Sequence, residues 1–97
     1  MDEKKEILEK LRKKLPIFQE KYRVKSLGLF GSYIRGDQKK KSDIDLLVEF
    51  EEPIGLIRFI TIENELSEFL GKKVDLVMKT ALKPRIRENI LKEVILV

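Results

Sequence analysis

The 97-residue chain contains no cysteine and no histidine. Without cysteine there are no disulfides and no thiolate chemistry. The two absences together remove Cys/His zinc sites, cysteine and Ser-His nucleophiles, and a histidine general base. Any catalysis must therefore use carboxylates, hydroxyls, Lys, Arg or a bound metal. Nor does any apolar run approach the length of a membrane span. The opening MDEKKEILEK is charged and helical in pattern rather than a signal peptide, and the expected compartment is the cytoplasm. Proline occurs only three times and glycine five, so each is a candidate element boundary.

What is present describes a single globular domain over residues 1–97, long enough for one core and too short for two. Charged residues make up 39% of the chain, but 21 basic and 17 acidic side chains are interleaved and leave a net charge of only +4. That is a poor electrostatic footprint for direct nucleic-acid binding.

Ile7, Leu11, Leu15 and Phe18 recur at helical steps between Asp2 and Tyr22, which predicts an amphipathic helix. Pro16 either kinks this helix or starts a second one. Val24 to Phe30 reads as a buried strand, Ser32 to Gly36 as a single helical turn, and Asp37 to Ser42 as a polar loop containing Lys39, Lys40 and Lys41. Asp43 to Phe50 is the second strand. A helix from about Leu56 to Leu70 follows, with Phe59, Ile62, Leu66, Phe69 and Leu70 inward and Gly71 as its stop. Lys73 to Met78 is the third strand. Pro84 opens a last helix with Ile86, Ile90 and Leu91 as its stripe, and Val94 to Val97 either returns as a short strand or docks on a partner. Strands alternating with helices in so short a chain predict an α/β (α+β) fold. The expected form is a small mixed sheet with helices packed on one face and the other face open to ligand.

The chemistry concentrates between Gly31 and Phe50. Side chains alternate along a strand, so Asp43 and Asp45 project to one side, about 7 Å apart. Ile44, Leu46, Val48 and Phe50 project to the other, toward a core. Aspartate is a poor strand former, yet two share one face of an apolar strand, and Asp75 sits between Val74 and Leu76 in the third. Such carboxylates repel one another unless a cation lies between them, and hard oxygen donors suit Mg²⁺. Gly31 permits a tight turn and close approach to the backbone; Ser32 begins a helical turn whose free N–H groups attract an anion. A phosphate cradle beside carboxylate-held metal points to phosphoryl or nucleotidyl transfer without a histidine base.

Gly31-Ser32, ten intervening residues and Asp43-Ile44-Asp45 match the signature of the DNA polymerase β-like nucleotidyltransferases. The fuller string GSYIRG…SDIDLLV, with VDLV later, resembles their minimal nucleotidyltransferase (MNT) branch over nearly the whole chain. The resemblance implies a nucleotidyltransferase, polymerase β-like palm fold. It also implies that Asp43, Asp45 and Asp75 are catalytic and hold Mg²⁺, two ions in all, and that Gly31 and Ser32 bind the phosphates of ATP. Arg35, which also fits the branch pattern, either orients this loop or touches phosphate, or pairs with Asp37 or a glutamate. Tyr33 stacks on a base or packs in the core. Proteins of this branch are typically antitoxins paired with a HEPN-domain ribonuclease toxin, and some adenylylate a tyrosine of that toxin.

Larger relatives close a further domain over the nucleotide. Here the acceptor-binding half is expected from a partner polypeptide or a second copy of the chain, with VILV at residues 94–97 as a candidate contact. The leading expectation is thus an ATP- and Mg²⁺-dependent protein adenylyltransferase serving as an antitoxin. An antitoxin that only binds, transfer to a small molecule or RNA end, and a purely structural domain are the competing readings.

Overall fold

The structure, a computed structural model, describes residues 2–97. Helix α1 spans Glu3–Tyr22, with Asp2 as its N-cap accepting the Lys4 N–H at 3.0 Å. Pro16 lies inside this single helix and does not begin another. Its ring removes one backbone bond, but Leu11 and Phe18, 0% and 1% exposed, anchor both halves to one core. The chain then runs through β1 (Val24–Phe30), the one-turn α2 (Ser32–Arg35), β2 (Ile44–Phe50), α3 (Leu56–Leu70) and β3 (Val74–Met78). A short 3-10 turn at Lys79–Ala81, α4 (Pro84–Glu93) and β4 (Ile95–Leu96) complete it. Residues 94–97 thus take the strand option of the two expected for them.

The four strands are ordered β3-β2-β1-β4. β1 lies antiparallel to both β2 and β4, whereas β2 and β3 are parallel. The alternation of the strands decides what each face packs against. Leu27, Leu29, Ile44, Leu46, Val48, Val74 and Leu76 face a main core closed by Leu11 and Phe18 of α1 and by Ile62 and Leu66 of α3. Burying each such aliphatic side chain is worth about 1.5–3 kcal/mol, so this layer supplies most of the driving force.

The fold class is the expected one, with a difference in the placement of helices. α1 and α3 share the main face, but α4 lies on the other, where Ile90 packs with Phe30 and Leu47. Phe30 and Leu47 are the out-of-phase apolar residues of their strands, and burying them requires a second layer. Only one position of α4 reaches them: Ile86 and Leu91, expected in its apolar stripe, are 52% and 40% exposed. Phe69, also expected inward, is at the surface, with the Lys14 ammonium 5.0 Å from its ring centroid.

The outer edge of β3 is covered by α3. The Val74 N–H donates to Ser67 Oγ at 2.9 Å and the Leu76 N–H to Glu63 Oε2 at 2.8 Å, satisfying backbone groups that an edge strand otherwise leaves open. On the opposite side, Gly28 of β1 pairs with Leu96 of β4. A Cβ at position 28 would lie 2.6 Å from Val94 Cγ2 and 3.0 Å from Leu96 Cδ2. The first contact is too close and the second tight, so Gly28→Ala should push the Val94 and Leu96 side chains aside and loosen the seat of β4. The expected cost is about 1–3 kcal/mol, read as a lower urea midpoint with an unchanged m-value.

Candidate active site

At the end of β1 the chain turns at Gly31, with φ +80° and ψ −148°, a combination that residues with a side chain rarely adopt. α2 follows at once: the Ile34 and Arg35 N–H groups bond the Gly31 carbonyl at 3.0 and 3.1 Å. The N–H groups that open the turn, at Ser32 and Tyr33, have no intrahelical acceptor. The return strand brings Asp45 opposite Phe30, and its carboxylate lies directly against Gly31. A Cβ on residue 31 would overlap Asp45 Oδ2 and sit 2.9 Å from its Cγ. Glycine is therefore required both by the backbone angle and by the carboxylate beside it.

On the other side of β2, Asp45 is in parallel register with Asp75 of β3. Neighbouring strands lie about 4.8 Å apart, so the two carboxylates share one corner of the sheet. Asp43 precedes β2 by one residue and has the Lys73 ammonium 3.9 Å from its Oδ2. The crowding is registered by Asp45. Burial, and then the charges of Asp75 and Asp43, raise its pKa; Arg35 pulls it down, and Glu93 adds a smaller upward push.

Among the described residues, no three acidic side chains are drawn together as a closed metal cage. Neighbouring carboxylates repel one another unless a cation lies between them. The carboxylates of Asp43, Asp45 and Asp75 are hard oxygen donors, of the kind that suits a divalent cation such as Mg²⁺.

Of the residues expected to form the site, Gly31 lies against Asp45 and Asp45 is in register with Asp75, while Ser32 and Arg35 occupy the turn after Gly31 and Asp43 stands one residue ahead of β2. Arg35 is paired within the protein: Nε lies 3.4 Å from Asp37 Oδ2 and Nη1 3.4 Å from Glu93 Oε1. Tyr33 is a core residue, 1% exposed, and its hydroxyl accepts a hydrogen bond from the Lys72 ammonium. It is not placed to stack on a base. Glu93 was not foreseen. It ends α4 and reaches the site only because β4 folds back along β1, and no local pattern in KEVILV announces that.

A family model for the nucleotidyltransferase domain matches residues 5–97. The chain belongs to the nucleotidyltransferase domain family. Protein adenylyltransferase MntA of Thermococcus cleftensis is 48% identical over 79 residues, 81% of this chain and 80% of that one. A solved structure provisionally named as a minimal nucleotidyltransferase superposes with a TM-score of 0.79 at 36% identity, covering 98% of this chain and 95% of its own. A toxin-antitoxin crystal structure with AMP-PNP gives a TM-score of 0.70 at 25% identity, over 96% of this chain and 70% of that one. The fold alone extends to an MNT antitoxin in complex with a tri-AMPylated HEPN toxin from Shewanella oneidensis, at 21% identity and a TM-score of 0.62. The minimal branch of the family, indicated by GSYIRG and SDIDLLV, is the right one.

Proposed function

We propose that the chain transfers AMP from ATP to a hydroxyl, that of a tyrosine, on a HEPN-type toxin, and so acts in the cytoplasm as that toxin's antitoxin. The observation that carries the reading is the register of Asp45 with Asp75 beside a Gly31 turn that leaves no room for a side chain. Asp43, Asp45 and Asp75 would hold Mg²⁺, two ions when the nucleotide is bound. The metal supplies charge neutralisation at the phosphates and a lowered pKa for the attacking hydroxyl. Gly31 lets the triphosphate approach the main chain, and the Ser32 hydroxyl and opening N–H groups of α2 take the β- and γ-phosphate oxygens. The acceptor hydroxyl releases its proton to solvent, its oxygen attacks the α-phosphorus, the bond to the α,β-bridging oxygen breaks, and pyrophosphate leaves in line. Asp75 is exposed at the sheet corner, which leaves it open to an incoming acceptor. Support for a toxin as acceptor comes from the toxin-antitoxin complexes that share this fold.

The test is transfer of label from α-labelled ATP, with Mg²⁺, to the protein encoded by the neighbouring gene. Label is expected on that protein with the wild-type chain and not with Asp43→Asn. Full neutralisation of the toxin by Asp43→Asn, with no label transferred by the wild type, would instead indicate an antitoxin that works by contact.

A further inference from the structure

Glu93 belongs to the site but is not one of the carboxylates needed to hold metal. One of its oxygens, Oε1, accepts the Gly31 N–H at 3.1 Å and pairs with Arg35 Nη1 at 3.4 Å. Gly31 is buried, so its N–H needs a partner, and its backbone angles would not persist without support from neighbours. A fourth acid close to Asp45 adds repulsion, which makes the choice of glutamate informative. A neutral acceptor would satisfy the N–H; the carboxylate additionally gives Arg35 a counter-charge.

The side chain is also delivered from a fixed backbone. Ile90, one turn earlier, is packed on Phe30 and Leu47, and the Val94 N–H bonds the Ile90 carbonyl at 2.9 Å. Beyond it, Leu96 and Ile95 pair with Gly28 and Leu29, and the Val97 N–H bonds the Leu27 carbonyl at 2.9 Å. The same strand, β1, therefore ends in the turn and anchors the segment that braces it.

We propose that Glu93 is a positioning residue for nucleotide binding. By taking the Gly31 N–H and Arg35 together, it fixes the turn that sets the distance between Ser32 and Asp45. This role rests on the reading that the corner binds Mg²⁺ and ATP. The opposite role is chemically conceivable: a carboxylate seated on two donors could obstruct phosphate, and its removal would then tighten binding.

The two roles separate in the full-length wild type and its Glu93→Ala, Glu93→Gln and Glu93→Asp variants. The measurements are amide hydrogen exchange at Gly31 without nucleotide and calorimetric binding of a non-hydrolysable ATP analogue with Mg²⁺. In Glu93→Ala the Gly31 amide should lose protection and the dissociation constant should rise about tenfold. Glu93→Gln, which keeps an acceptor at the same reach, should retain the protection and stay within about threefold of wild type. Glu93→Asp keeps the charge but is one methylene too short, and should behave like Glu93→Ala; it carries the same test if the alanine variant does not fold. Tighter binding in the alanine or aspartate variant, or binding unchanged from wild type, overturns the positioning role. Absence of binding by the wild type overturns the nucleotide reading instead, and the exchange contrast between the alanine and glutamine variants then decides whether Glu93 holds the turn.

Discussion

Asp45→Asn is expected to lower adenylyl transfer by about 10³-fold while raising the melting temperature of the nucleotide-free protein. The two effects share one cause. Asp45 is the carboxylate that burial and its acidic neighbours press hardest, and its pKa is raised accordingly. The folded protein thus keeps this proton to higher pH than the unfolded chain, whose Asp titrates near about 3.9. Below that pH the group imposes no penalty on folding. As pH rises through the raised folded pKa, the folded state must accept a charge that the unfolded state carries more easily, and stability falls. Asparagine cannot ionise, so the advantage of the variant should be absent at low pH and reach its full size above the folded pKa. Thermal melts across this range check the sign. Added Mg²⁺ with nucleotide should raise the wild-type melting temperature and leave that of the variant unmoved. A variant less stable than wild type at neutral pH would contradict the crowding seen around Asp45.

Gly31→Ala should be the most damaging small substitution in the chain. A side chain at φ +80° and ψ −148° costs about 1–3 kcal/mol in backbone strain, and the new methyl would overlap Asp45 Oδ2. A total loss of about 2–4 kcal/mol is expected in urea unfolding, with transfer activity abolished because the carboxylate is pushed from its place. The two contributions can be separated. Asp45→Ala removes the obstructing oxygen without changing the backbone, so the double variant Gly31→Ala/Asp45→Ala should recover the steric part and retain the strain. That is a coupling of at least about 1 kcal/mol between the sites. Additive effects would show that the glycine is needed for its backbone angle alone.

Much of this arrangement was legible in the sequence because the strands obey a period of two. In β2, Ile44, Leu46 and Val48 had to face a core, and Asp45 then had to face away from it. The ends of β1 and α3 followed from Gly31 and Gly71, where the chain changes direction. Asp75 was conspicuous as an acid between Val74 and Leu76. Less legible was whatever depends on pairing between distant segments. Leu47 and Phe30 are apolar on what looked like the ligand face, and only the return of α4 explains them. Glu93 is hidden for the same reason: its partner, Gly31, lies 62 residues away, and nothing in a charged helix end distinguishes a bracing glutamate from a solvated one. Ile86 and Leu91 misled in the opposite direction, since a helical stripe marks a face that can be buried and not one that is.

The bonds from Ser67 and Glu63 to the outer N–H groups of β3 also restrict how the molecule can assemble. An extended segment from another chain cannot join the sheet beside β3 without stripping two acceptors from a helix already seated there. At the opposite margin stands β4, two residues long, with Leu96 59% exposed. Growth of the sheet by an incoming strand is thereby directed to the β4 margin, next to the segment that carries Glu93. A strand added there would lie beside the segment whose Glu93 accepts the Gly31 N–H.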